Sequence, residues 1–133
     1  MSNANVTFVQ SLYAAFGRGD IASIIAGLTP DVDWSVTGRR QDYPLCGAWK
    51  GASEVQKFFQ GVGQLQETVE FSPREFIADD DHVVVLGHYN WKIRKTGRTV
   101  ASDWAHVFTI RGGKVVKFQE FTDTAQFAEA NRA

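Results

Sequence analysis

Two polar side chains stand where an apolar one is expected. His106 lies within Trp104, Ala105, His106, Val107 and Phe108, and Glu120 within Val116, Lys117, Phe118, Gln119 and Glu120. Both segments alternate with the period of two that marks a strand, and both residues fall on the apolar face. A titratable group enters an interior only at a cost, unless it is paired, hydrogen-bonded or used in chemistry. An imidazole and a carboxylate on one buried face can pass a proton to each other and to a third molecule. That is general acid–base chemistry.

Parity sharpens the pairing. Trp104, His106, Phe108 and Ile110 share one face; Val116, Phe118, Glu120 and Thr122 share a face of the next segment. Arg111, Gly112 and Gly113 suit a tight turn between them. Counting back from that turn sets Phe108 near Val116 or Phe118, and His106 near Phe118 or Glu120. Opposed side chains lie about 5 Å apart, so a His106–Glu120 hydrogen bond is within reach. The plainer readings are that His106 bonds a backbone carbonyl, and that Glu120 reaches solvent or meets an arginine. In the preceding segment Val84, Leu86, His88, Asn90 and Lys92 oppose the more apolar Val85, Gly87, Tyr89, Trp91 and Ile93. Parity turns His88 and Asn90 outward, whereas a bulge turns them in, and both stay candidates for a cavity.

The elements that must position these residues are legible in outline. Phe8, Val9, Leu12, Tyr13 and Phe16 have helical spacing, ended by Gly17 to Gly19. Asp20 suits the cap of a short helix carrying Ile21, Ile24, Ile25 and Leu28, stopped near Pro30. Val32, Asp33, Trp34, Ser35 and Val36 alternate as a strand. The stretch from Thr37 to Gly51, with Gly38, Pro44 and Gly47, reads as a long loop, and such loops often cover a site. Ser53 is placed to cap a third helix bearing Val55, Phe58, Phe59 and Val62. Strands follow over Thr68–Ala78, His82–Arg94, Thr99–Ile110 and Val115–Thr122, then a closing helix over Thr124–Asn131. Asp79 to Asp81 and Lys95 to Gly97 suit turns, so the strands form an antiparallel meander. Helices first and a meander after imply an α+β fold, with helices on one face of a curved sheet around a cavity.

Composition narrows the function classes. The chain has 133 residues, 44% hydrophobic and 22% charged, which suits one domain with a core of its own. Its 10 Phe and 4 Trp are enough to line both a core and a cavity. A net charge of −1 carries no electrostatic footprint for nucleic acid or an anionic membrane. One cysteine, Cys46, leaves no internal disulfide and fits a reducing compartment. With no signal-like start and no apolar run of about 20 residues, a cytoplasmic location is expected. His82, His88 and His106 lack metal-ligand spacing, so no metal site is expected. No G-x-S-x-G, P-loop or G-x-G-x-x-G pattern is present. Cys46 reads as an ordinary loop cysteine rather than a reactive thiol.

The order of elements also carries a family resemblance. It shows in Leu12 to Ile21, in Leu28 to Trp34, in Gly47 to Gly51, in Thr96 to Arg98, in His106 to Val115 and in Glu120 to Thr124. In this order the chain resembles the NTF2-like, or SnoaL-like, superfamily, which includes ketosteroid isomerases, polyketide cyclases and limonene epoxide hydrolases. The resemblance spans nearly the whole chain and implies a cone-shaped α+β fold over residues 1–133 and a homodimer formed through the sheet. It is specific for fold and poor for activity. The isomerase pattern fails: its base falls on Val36, its tyrosine on Leu12 with Tyr13 adjacent, and its protonated aspartate on His106. The cyclase pattern fits better, since Glu120 and His106 are similar to its acid/base pair, with Glu in place of Asp. The epoxide-hydrolase set is matched less well, because His88 and Asn90 replace its arginine and second acid.

What this implies is a cofactor-independent cyclase, isomerase or dehydratase type of enzyme acting on a small hydrophobic carbonyl compound. Glu120 and His106 are the expected catalytic pair. Leu12, Tyr13, Trp34, Val36, Phe59, His88, Asn90, Trp104, Phe108 and Phe118 are the expected substrate contacts. The competing class is a binding module that holds a ligand in the same pocket without turnover.

Overall fold

In the computed structural model, which describes residues 3–132, helices α1 (Asn3–Gly17) and α2 (Ile21–Ala26) lead into strand β1 (Leu28–Val36). Then come β2 (Gly47–Lys50), α3 (Ala52–Leu65), β3 (Gln66–Asp79), β4 (His82–Ile93), β5 (Thr99–Arg111), β6 (Lys114–Phe121) and α4 (Thr124–Asn131). The six strands form one curved, unclosed sheet in the order β2-β1-β6-β5-β4-β3. From β3 to β6 it is the antiparallel meander that the short turns imply. Strand β1 pairs parallel to β6, which sets Trp34 beside Phe118 and Val36 beside Glu120. The fold is α+β, with helices against the inner face of the sheet.

The chain-local signals act as expected at two caps. Asp20 accepts from the backbone N–H of Ser23, and Asp123 from that of Gln126, so each carboxylate satisfies a free donor at a helix start. Both carboxyl groups are held below the usual aspartate range, chiefly by those partners, Ser23 and Gln126. At the start of α3 the expectation fails. Gly51 at φ +84° takes the cap position with no side-chain bond, and Ser53 lies inside the helix. Glu54 reaches back instead and accepts from the N–H of Lys50, 2.7 Å.

Two boundaries and one side-chain orientation also differ from the sequence reading. Leu28 opens β1 instead of closing α2, since a Gly27 cap ends the helix first. The stretch from Thr37 to Gly51 is not loop throughout, because Gly47–Lys50 pair with Asp33–Val36 as an edge strand. Val116 does not share the inner face with Phe118 and Glu120. The β5–β6 register shifts between Thr109 and Ile110, so Ile110 faces Val115, and Val115 is buried in place of Val116. One extra residue in one strand reverses parity on the turn side of the bulge only. His106 and Glu120 lie beyond it, and their alternation survives.

Candidate functional site

The inner face of the sheet collects the aromatic residues. His106 and Glu120 are direct partners across β5 and β6, and Phe108 and Phe118 are the next pair toward the turn. Both polar residues are buried, at 4% and 8% exposure. His106 Nε2 lies 2.9 Å from Glu120 Oε1. Tyr13 Oη of α1 lies 2.7 Å from His106 Nδ1, so both ring nitrogens are engaged. Tyr89 of β4 donates to the other carboxylate oxygen, Glu120 Oε2, at 3.1 Å, and its Oη stands 2.6 Å from Thr122 Oγ1. The result is one hydrogen-bonded chain: Tyr13, His106, Glu120, Tyr89, Thr122.

Burial, with Glu120 nearby as the second cause, raises the Tyr13 hydroxyl well above the usual phenol range. Tyr13 therefore stays protonated through neutral pH and donates to His106 Nδ1. That leaves the imidazole proton on Nε2, donated to Glu120. The same two causes, in the same order, raise Tyr89, which remains a donor. The pair is thus oriented from both ends. Trp104 stacks on the His106 ring at 3.9 Å and 19°, which fixes its plane.

These groups border a cavity of about 80 Å³. Of the expected contacts, Leu12, Tyr13, Trp34, Phe59, His106, Phe108, Phe118 and Glu120 line it. Val36 and Trp104 do not: Val36 is buried beside Glu120 on β1, and Trp104 lies behind the imidazole. His88 and Asn90 are on the opposite face of the sheet, with His88 Nδ1 2.9 Å from Asp103 Oδ1. No bulge interrupts the β4–β5 register from His82 to Lys92, so plain alternation holds and turns both away.

Sequence reasoning missed Tyr89, Gln66, Tyr43, Phe71 and Trp91, all of which line the cavity. A signal for Tyr89 was present, a hydroxyl on the apolar side of β4. Phe71 was hidden because β3 shifts register between Thr68 and Glu70 and again between Pro73 and Glu75, which scrambles its alternation. Cys46 is fully buried in the segment before β2, and desolvation pushes its thiol up to about 11. It is expected to resist a disulfide reagent in the native protein and to react with one equivalent on unfolding; rapid native labelling would contradict its burial.

Comparison with known proteins agrees with this architecture. A family model described as the SnoaL-like domain matches residues 9–118. The chain belongs to the SnoaL-like family. An NTF2-like protein of unknown function from Burkholderia pseudomallei is 31% identical, with a TM-score of 0.90 over 98% of this chain and 99% of that one. TerC, co-crystallised with polyporic acid, is also 31% identical, with a TM-score of 0.85 over 96% and 98% of the two chains. An uncharacterised protein of Mycobacterium tuberculosis is 24% identical over 119 residues, covering 90% of this chain and 88% of its own. Among the described residues, no helix of this SnoaL-like protein is long and apolar enough to cross a membrane.

Proposed function

We propose that this SnoaL-like protein is a cofactor-independent enzyme that moves a proton on a small hydrophobic carbonyl compound, by cyclase, isomerase or dehydratase chemistry. The observation that carries this is the buried His106–Glu120 pair at 2.9 Å, set at the wall of an aromatic cavity and held by two tyrosines. Glu120 takes the proton from carbon. The imidazole N–H holds the carboxylate in place, and Tyr13, through His106, orients the pair toward the developing enolate. The co-crystallisation of TerC with polyporic acid supports a small-molecule occupant for this scaffold.

Size qualifies the substrate. Drug-sized ligands fill about 300–1,000 Å³, whereas the inner chamber holds about 80 Å³. A wider vestibule of about 610 Å³ adjoins it, and the two share Tyr13, Phe16, Phe59, Gln66, Phe71 and Trp91. The reacting carbonyl fits the chamber while the apolar body occupies the vestibule. The test is deuterium incorporation next to the carbonyl across a panel of hydrophobic ketones in D₂O. Glu120→Gln is expected to lower it by about 10²–10⁴-fold. Retained exchange in that variant overturns the mechanism; binding without exchange in the unmodified protein marks a carrier instead.

A homodimer is the partner this reading carries. Ile77, Val84 and Val107 form one apolar row across the outer face. Ile77 is 51% exposed, and a second copy of this row supplies the cover. Sedimentation velocity is expected to show a dimer that Ile77→Glu converts to monomer. A monomeric unmodified protein removes this proposal.

A further inference from the structure

An apolar chamber filled by its ligand raises a problem of proton exchange. Whenever a proton taken up by Glu120 is traded with solvent rather than returned to the substrate, the bound ligand blocks the way through the cavity. The chain of hydroxyl groups behind Glu120 leads elsewhere. Tyr89 Oη is 3.1 Å from Glu120 Oε2 and 2.6 Å from Thr122 Oγ1, and Thr122 Oγ1 is 3.4 Å from Ser102 Oγ. Tyr89 is 2% exposed, so this middle link is sealed from water. Thr122 lies just past the end of β6, is half-buried, and lines an outer groove together with Asp103, Phe121 and Arg74. Tyr13, at the other end of the chain, borders the cavity and its vestibule. The chain therefore has two ends that open on different surfaces.

We propose that Tyr89 and Thr122 form a proton-exchange route joining Glu120 to solvent at the end of β6, separate from the cavity mouth. Glu120 bearing its proton on Oε2 passes it to Tyr89 Oη. As that bond forms, the Tyr89 proton moves to Thr122 Oγ1 and the Thr122 proton to a surface water. Glu120 returns to the carboxylate, each hydroxyl ends with one proton, and the water becomes hydronium. No charged intermediate arises on either hydroxyl, which matters where a bare ion is costly. Both residues act through Glu120, Tyr89 from the cavity wall and Thr122 from the outer groove.

The purpose of this route rests on the acid/base reading above, but its test needs no substrate, so the two fail separately. The Tyr89 hydroxyl proton, held against a buried carboxylate, gives a downfield resonance whose exchange with water is read by saturation transfer. In one exchange event Tyr89 hands that proton to Thr122 as it takes one from protonated Glu120, and Thr122 hands its own to water, so each hydroxyl keeps one proton. Thr122→Val keeps the shape but removes the outer hydroxyl, and is expected to slow exchange at least tenfold. Thr122→Ser, which keeps the hydroxyl, is expected to restore it, and Tyr13→Phe to change it less than twofold. An unchanged rate in Thr122→Val, with slowing in Tyr13→Phe, places the exit at the mouth and overturns the proposal.

Discussion

Replacing His106 with leucine is expected to destabilise the protein by about 1–3 kcal/mol or more, the usual cost of leaving a buried hydrogen-bonding group without its partner, with a carboxylate toward the upper end. The imidazole gives Glu120 Oε1 its 2.9 Å bond and takes the hydrogen bond of Tyr13 on its other side. Leucine fills much of the volume yet leaves a buried carboxylate with Tyr89 as its remaining donor and a tyrosine hydroxyl without its acceptor. The double variant His106→Leu/Glu120→Leu is expected to recover most of the loss, because removing both partners also removes the unpaired group. Urea denaturation of the two single variants and the double variant gives the coupling. A loss below about 1 kcal/mol in His106→Leu would show that the pair is not what holds Glu120.

Gly87→Ala carries the second large effect, with a sign opposite to the general rule. Alanine in place of glycine inside a strand ordinarily gains about 0.5–1 kcal/mol from backbone entropy. Here a Cβ at Gly87 would sit 2.4 Å from Trp104 Cζ2 and 2.7 Å from the Ser72 carbonyl oxygen. Neither neighbour is a flexible side-chain end. One is an indole held in a stack on His106, the other is backbone. Overpacking of this kind costs about 1–3 kcal/mol and occasionally more, which outweighs the entropy gain. Gly87→Ala is expected to be destabilised in thermal melts and to change the near-ultraviolet circular dichroism, as Trp104 leaves the imidazole. A variant as stable as the parent would show that Trp104 has room to move.

The inner site was largely legible because its logic is local. Alternation over a few residues marked His106 and Glu120 as misfits, and a short turn made their strands neighbours, so their pairing depended on counting along one hairpin. The bulge at Thr109 and Ile110 reversed Val116 but left that count intact on the far side. His88 and Asn90 show the reverse case. Alternation already turned them outward, and admitting a bulge that β4 and β5 do not have kept them as candidates. Ser53 was read as a cap from residue type alone. The backbone of Gly51, free to adopt φ +84°, took the position instead.

Other features depended on contacts between residues far apart in the chain. Tyr13 and His106 are 93 residues apart, and Tyr89 and Glu120 are 31 apart. Neither spacing has a local signature. The parallel pairing of β1 with β6 likewise joins the two ends of the fold. By itself the sequence determined the α+β class, the family and the buried pairing of His106 with Glu120, since periodicity and turn chemistry act within one element or hairpin. The tertiary structure alone decided which hydroxyl groups clamp that pair, how small the chamber is and where its hydrogen-bonded chain reaches the surface. Those follow from how the helices cover the curved sheet and how the register shifts of β3 bend it, and packing of that kind is not written in any single segment.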